Sequence, residues 1–349
     1  DGIRAYDVTG VQTCALPICE IIFTSCGTEG NNAALNSALF TQPGKRHLVT
    51  TAVEHSANIK FGQMHEKRGG EVSWIPVDRA GQIDVHELQE AIREDTAAVS
   101  VMLANNETGV VFPIEEIAAI CRIKNVPFHT DAVQTAGKLK LDVKAMGVDF
   151  LSLSAHKLHA PKGIGLLYVR QGVPWQPYVI GGGQESGRRG GTENVAYIVA
   201  FGKAAELALA SVEIDVDRIR ALRNRMENVI MESIPGVTRN GAKEPRLPNT
   251  SNLNFADCEA EAILLLLDRE GICASSGSAC TTGSLAPSHV LIAMGVPPEQ
   301  ALSSVRLSLS KYSTDAEVDH LLEMLPPIIE KLRGASPKAS APAAQEISQ

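Results

Sequence analysis

A lysine stands in a turn between two apolar runs. Asp149-Phe150-Leu151-Ser152-Leu153 precedes it, Ile164-Gly165-Leu166-Leu167-Tyr168-Val169 follows, and Ser154-Ala155-His156-Lys157-Leu158-His159-Ala160-Pro161-Lys162-Gly163 lies between. Both runs read as buried strands, which puts Lys157 at the mouth of a sheet. Desolvation there lowers a lysine's pKa until the free amine can attack a carbonyl. Taken alone, the stretch reads better as a solvated turn. Upstream, Phe128-His129-Thr130-Asp131-Ala132-Val133-Gln134 closes another predicted strand and supplies a carboxylate at its end.

An Asp and a Lys at the carboxyl ends of neighbouring strands suit pyridoxal 5′-phosphate (PLP). The Lys forms the Schiff base, and the Asp holds the pyridinium nitrogen protonated so that the ring accepts electrons. His-Thr-Asp-Ala-Val-Gln at 129–134, followed by Ser-Ala-His-Lys-Leu-His-Ala-Pro-Lys-Gly at 154–163, resembles the cysteine desulfurases of the class V aminotransferase group, nearest the nitrogen-fixation type. The likeness runs from about Glu20 to about Arg333. It implies an α/β chain of PLP fold type I, a mostly parallel sheet flanked by helices. Residues 20–205 would form the PLP-binding large domain and 206–335 a smaller C-terminal α/β domain.

The resemblance also assigns residues. Lys157 would carry PLP, Asp131 face its ring nitrogen, and Gln134 bond its phenolic oxygen. His55 would stack on the ring and move protons, Ser154 and His156 would line the cofactor, and Gly27 and Thr28 would meet its phosphate. Thr192 would reach the phosphate of the other subunit, which makes the site that of a homodimer. Asn106 would touch the PLP oxygen and, with Arg306, the substrate carboxylate. Cys280 would be the nucleophile that takes sulfur from L-cysteine and passes it to an iron–sulfur scaffold or other acceptor. No protein-only metal site is implied; Cys280 alone would touch a cluster during transfer. Where the family usually has Arg, this chain has Ser186.

Several of these stretches have plainer readings. Gly27-Thr28 opens an Ala/Leu-rich helix, where a phosphate can be held but a simple cap also fits. A lone loop His such as His55 is more often structural. Asn105-Asn106-Glu107-Thr108-Gly109 reads as a tight turn. Gly181 to Asn194 is a glycine-rich loop in which Arg188, Arg189 and Thr192 suggest an anion site. Ala274 to Ser284 contains almost nothing large, so a free Cys280 would be exposed. Cys273 falls on a predicted strand and reads as core, as do Cys121 and Cys258; Cys26 reads as structural. Arg306 stands in an alternating strand, where it must meet a carboxylate.

Strands predicted at 20–24, 47–51, 72–77 and 97–103 alternate with helices at 56–68, from Asp84, and at 113–125, which implies a mostly parallel sheet. Two helices are expected from about Asn194 to Ser233, the second bearing a solvated face of Asp215, Arg218, Arg220, Arg223, Arg225 and Glu227. A strand at 249–255, a helix at 259–270 and a tail helix at 315–333 complete the smaller part.

With 349 residues, 44% hydrophobic and 21% charged, the chain has ample core for two domains. A net charge of −8 argues against a nucleic-acid partner. No apolar run reads as a membrane span; Ala262 to Leu267 is expected to be a buried helix segment. Seven cysteines without regular spacing argue against a disulfide scaffold and point to a reducing cytoplasm with at least one functional thiol. Residues 1–19 carry neither period nor family likeness, and Cys14 and Cys19 lack zinc-like spacing. They read as a foreign lead-in where the family has an arm over the substrate. Residues 336–349 are Ala/Ser/Pro-rich and expected to be disordered. Rival readings are a selenocysteine lyase or other fold-type I PLP enzyme, which would not need the Ser-Gly-Ser-Ala-Cys stretch, and an inactive binding partner, against which Lys157, Asp131 and Cys280 stand.

Overall fold

The computed structural model describes residues 17–276 and 286–335. Among these residues the chain builds two sheets. The larger contains β1 (Ile21–Thr24), β2 (His47–Thr51), β3 (Glu71–Ile75), β4 (Thr96–Ser100), β5 (Phe128–Asp131), β6 (Phe150–Ser154) and β7 (Gly165–Val169) in the order β1-β7-β6-β5-β4-β2-β3. The strands from β3 to β6 pair in parallel, while β7 runs antiparallel to both β6 and β1. β2 and β4 to β7 are buried along their whole length, as expected for strands covered by helices on both faces. Strand order reverses between β2 and β4. Such a switch opens a crevice beyond the carboxyl ends of the strands, where ligands of α/β proteins bind.

The smaller sheet contains β8 (Val237–Arg239), β9 (Thr250–Phe255), β10 (Ser275–Ser276) and β11 (Ser304–Ser308), all antiparallel, in the order β10-β11-β9-β8. It has its own apolar core, in which Leu253, Phe255, Val305 and Leu307 meet Ile263 and Leu267 of helix Ala260–Arg269 and Leu321 and Leu325 of helix Asp315–Ala335. Leu265, within the stretch expected to be buried, is exposed.

The two helices expected after Asn194 are a single helix, Val195–Ser233. No Gly or Pro occurs between Lys203 and Ser233 to break it. Asn194 caps its start by accepting from the Tyr197 amide. Ile198, Phe201 and Ala208 enter the large core; Leu222, Met226 and Ile230 enter the small one. Over one stretch this helix is also long and apolar enough to cross a bilayer, contrary to the sequence reading, although those inward residues pack on protein.

Its charged side is not wholly solvated either. Arg223 and Glu227 are buried, with Glu227 gripped by Arg246 at 2.7 and 2.9 Å, by Arg239 at 3.0 Å and by the Ser251 hydroxyl at 2.7 Å. Residues four apart share a helix face, and this face turns toward β9.

Candidate active site

Asp131 is the last residue of β5 and only 6% exposed. Its Oδ2 accepts from Asn31 Nδ2 at 2.6 Å and its Oδ1 from the Val133 amide at 2.9 Å. β6 pairs alongside, with Asp131 opposite Ser152, and leads into the short 3-10 helix Ala155–Leu158 that carries Lys157. Ser154 Oγ and His156 Nδ1 lie 2.9 Å apart, although His156 itself is exposed. Helix Gly27–Phe40 begins against these turns: a Cβ added to Gly27 would lie 2.7 Å from Val133 Cγ2 and 3.6 Å from Ser154 Cβ. Only a glycine permits that approach, which sets the helix N-terminus and the exposed Thr28 at the ends of β5 and β6.

His55 follows β2 and caps helix Ser56–Lys67, its Nδ1 accepting from the Ala57 amide at 3.2 Å. Burial lowers its pKa most strongly; Asp131 opposes this, while Lys157 and His289 add to it. The predicted ring-stacking residue thus lies within electrostatic reach of the aspartate and the lysine. Beside it, Glu54 is fully buried and accepts from Thr51 Oγ1, Asn58 Nδ2 and the Met102 amide, each at 2.9 Å. Burial pushes its carboxyl up to about 7 against those bonds.

The turn after β4 is held by Asn105, whose side-chain oxygen accepts from the amides of Glu107 at 2.9 Å and Thr108 at 3.0 Å. The tight-turn reading therefore holds, and the turn also does more. The Asn106 carbonyl accepts from Arg306 Nη1 at 2.8 Å. Asn106 Oδ1 and Arg306 Nε are both buried without a partner. Glu107 is buried, takes a bond from the Ser288 hydroxyl, and is raised to about 7 by burial, with Ser288 and Arg306 opposing. Arg306 makes no ion pair among the described residues; Glu107 lies near it without closing to a salt bridge. A half-buried amine, Lys138, donates to the Gln134 carbonyl at 2.8 Å and is lowered to about 8 by burial and by Lys157 and Arg306.

Other predicted residues fare differently. Gln134 is half-buried and Thr192 is exposed. Arg189 is engaged by Glu29 at 2.9 and 3.1 Å, and Arg188 by the carbonyls of Cys19 and Ile21, so neither is left for an anion. Cys121 and Cys258 are buried as expected, but Cys273 is exposed and lies outside any strand, because β10 begins only at Ser275. Cys280 falls outside the described residues, as do residues 1–16 of the lead-in and the tail at 336–349. Sequence reasoning missed Asn31, Glu54, Glu107 and Lys138. Among the described residues no group of three or more His, Cys, Asp or Glu is placed to hold a metal.

The arrangement fits PLP. A turn lysine, a buried carboxylate, an imidazole and a helix N-terminus converge, and two orphaned polar atoms, Asn106 Oδ1 and Arg306 Nε, await a ligand. Aminotransferase class-V is the family that matches, over residues 15–321. The chain is 56% identical over 318 residues to cysteine desulfurase 2 of Trichormus variabilis, spanning 91% of this chain and 80% of that protein. It is 48% identical over 318 residues to cysteine desulfurase NifS of Azotobacter vinelandii, spanning 91% and 79%. A solved NifS-like protein superposes with a TM-score of 0.84 at 36% identity, covering 94% of this chain and 86% of that one.

Proposed function

The chain belongs to the class-V aminotransferase family, and we propose that it is a PLP-dependent cysteine desulfurase. It takes sulfur from L-cysteine, releases L-alanine and leaves the sulfur on Cys280 for iron–sulfur cluster assembly. The observation that carries this reading is the convergence of two sites. Lys157 and Asp131 stand at adjacent strand ends, Arg306 and Asn106 present unpartnered buried atoms, and Lys138 lies within electrostatic reach of both Lys157 and Arg306.

Lys157 would hold the cofactor covalently, Asp131 its ring nitrogen, Gln134 its phenolic oxygen, and Thr28, Gly27, Ser154 and His156 the phosphate side. PLP supplies, when bound, an electron sink for charge developing on the substrate. His55, its imidazole kept neutral by burial, can accept or return a proton. The substrate's carboxylate is taken by Arg306, whose guanidinium forms a two-bonded fork with such groups, and is flanked by Asn106. The Cys280 thiolate attacks the substrate sulfur: the S–S bond forms as the C–S bond breaks, and a proton replaces sulfur on the β-carbon. L-Cysteine and the enzyme thiol thus become L-alanine and an enzyme persulfide.

A homodimer accords with the surface. Tyr178, Ile180, Val195, Tyr197 and Val199 are exposed on either side of Thr192, and a second copy covering them would bring Thr192 to its own cofactor phosphate. The sulfur would pass from Cys280 to an acceptor protein in the cytoplasm.

The test is incubation of the PLP-loaded protein with L-cysteine and a thiol reductant, with alanine and sulfide assayed together. Equal amounts of the two are expected. Pyruvate and ammonia with sulfide, or transamination without sulfide, would refute the assignment.

A further inference from the structure

Asn31 lies inside helix Gly27–Phe40, fully buried. An asparagine within a helix is a poor helix former, because its side chain competes for backbone hydrogen bonds, and burying its amide demands partners. The helix here is pressed onto the sheet: a Cβ on Gly30 would meet Ser152 Oγ at 2.9 Å. That close approach brings the next residue's amide to the end of β5, where Asn31 Nδ2 stands 2.6 Å from Asp131 Oδ2.

We propose that Asn31 is a positioning residue for the reaction, fixing the Asp131 carboxylate toward the pyridine nitrogen of PLP. The proposal rests on the reading of Asp131 given above. With Val133 N on Oδ1 and Asn31 on Oδ2, each carboxylate oxygen is held by one donor and the plane of the group is set. The orientation of the amide is determined too. Asn31 Oδ1 has no partner, and exchanging it with Nδ2 would set oxygen against carboxylate oxygen. A bond this short to a carboxylate is of the charge-assisted kind, stronger than one between neutral groups. A second buried carboxyl, Glu54, lies close enough for Asp131 to act on it, and three donors hold it.

The same bond could serve only to tie helix to sheet, and the experiment separates the two roles. Asn31→Leu keeps bulk without a donor; Asn31→Ser keeps polarity without reach and serves if the leucine variant does not fold. Each is purified with PLP beside the parent protein and Asp131→Ala. PLP dissociation, the pH midpoint of the visible absorbance, kcat and KM are measured, with the unfolding midpoint of the unloaded forms. Loss of a hydrogen bond to a charged group predicts PLP binding weakened about 10-fold or more, with kcat falling in similar measure. The absorbance midpoint moves upward, because a less cationic ring withdraws fewer electrons, and KM for cysteine stays within about twofold, since the substrate carboxylate is held elsewhere. Parent-like PLP affinity and absorbance midpoint, with only a lower unfolding midpoint, would reduce Asn31 to a structural tie. If Asp131→Ala also leaves the absorbance midpoint unmoved, the role of Asp131 falls and the proposal with it.

Discussion

Arg306 Nη1 donates to the Asn106 carbonyl at 2.8 Å, joining an inner strand of the small sheet to the turn that leaves β4 of the large one. One bond of the guanidinium is thus structural, while its Nε remains buried without a partner. In the proposed reading, a substrate carboxylate would complete the group's hydrogen bonding, held between the two sheets.

Arg306→Lys should therefore raise KM for L-cysteine strongly, about 10- to 100-fold, because an ammonium cannot reproduce a two-bonded fork. PLP affinity should be unchanged. Steady-state kinetics together with PLP titration check this; a parent-like KM would remove Arg306 from the substrate site.

Lys157→Ala should abolish covalent attachment of PLP. Lys138 is the competitor the structure adds, a half-buried amine lowered to about 8 by burial first. It already donates to the Gln134 carbonyl, whereas Lys162 is exposed in the return turn. Borohydride reduction followed by peptide mass spectrometry should find the pyridoxyl group on Lys157; finding it on Lys138 or Lys162 would overturn the assignment.

Glu54 makes stability depend on pH in a definite direction. Its folded pKa of about 7 lies above the ordinary value of 4.5, so between those values the folded state keeps a proton that the unfolded state has released. Stability due to this group is present below about 4.5 and declines as pH rises to about 7. The span corresponds to about 3 kcal/mol. Glu54→Gln should flatten that decline. The new amide can be met by turning Asn58, whose Oδ1 is unpartnered. Denaturant unfolding from pH 4.5 to pH 8 reads the slope, and an unaltered slope would show that Glu54 does not titrate there.

How far the sequence discloses this site depends on the kind of residue. Asp131 and Lys157 are legible because they interrupt apolar runs at strand ends, where charge has no packing purpose. The parallel sheet is legible because predicted strands alternate with helices along the chain, although β2 and β4 to β7 carry polar residues that only the fold shows to be buried. Asn31 is not, since its partner is 100 residues away and its local setting is an ordinary helix. Glu54 and Glu107 sit beside the residues that draw attention, and only burial gives them their character. Arg223 and Glu227 mislead in the opposite sense: a run of alternating charges looks solvated until a second layer, carrying Arg246 and Ser251, covers one side.

That covered network should matter to stability. Burial raises the Glu227 carboxyl, but bonds from Arg246, Ser251 and Arg239 outweigh it and bring the pKa to about 2. Its contribution is present above the ordinary value of 4.5 and is lost as pH falls toward 2. Arg246→Ala leaves the carboxylate buried with fewer donors and should cost about 3–5 kcal/mol. Chemical denaturation measures it; a loss under about 1 kcal/mol would mark the network as solvated.

Cys280→Ala should separate loading from sulfur transfer. The described chain brackets this residue on both sides. Ser275 and Ser276 pair with Arg306 and Val305, and Ser288 donates to Glu107, next to Asn106. Both flanks thus lie beside the residues proposed to hold the substrate carboxylate. None of the groups proposed to bind PLP lies in this stretch. The variant should therefore keep the parent's visible absorbance and its spectral change on adding L-cysteine, while sulfide and alanine production fall at least about 100-fold, as expected when a nucleophile is removed. Absorbance spectroscopy and a paired sulfide and alanine assay on the same preparation test both halves. Sulfide release at the parent rate would exclude a persulfide on Cys280 and make the protein a direct lyase. Loss of the absorbance itself would instead place this cysteine in the cofactor site.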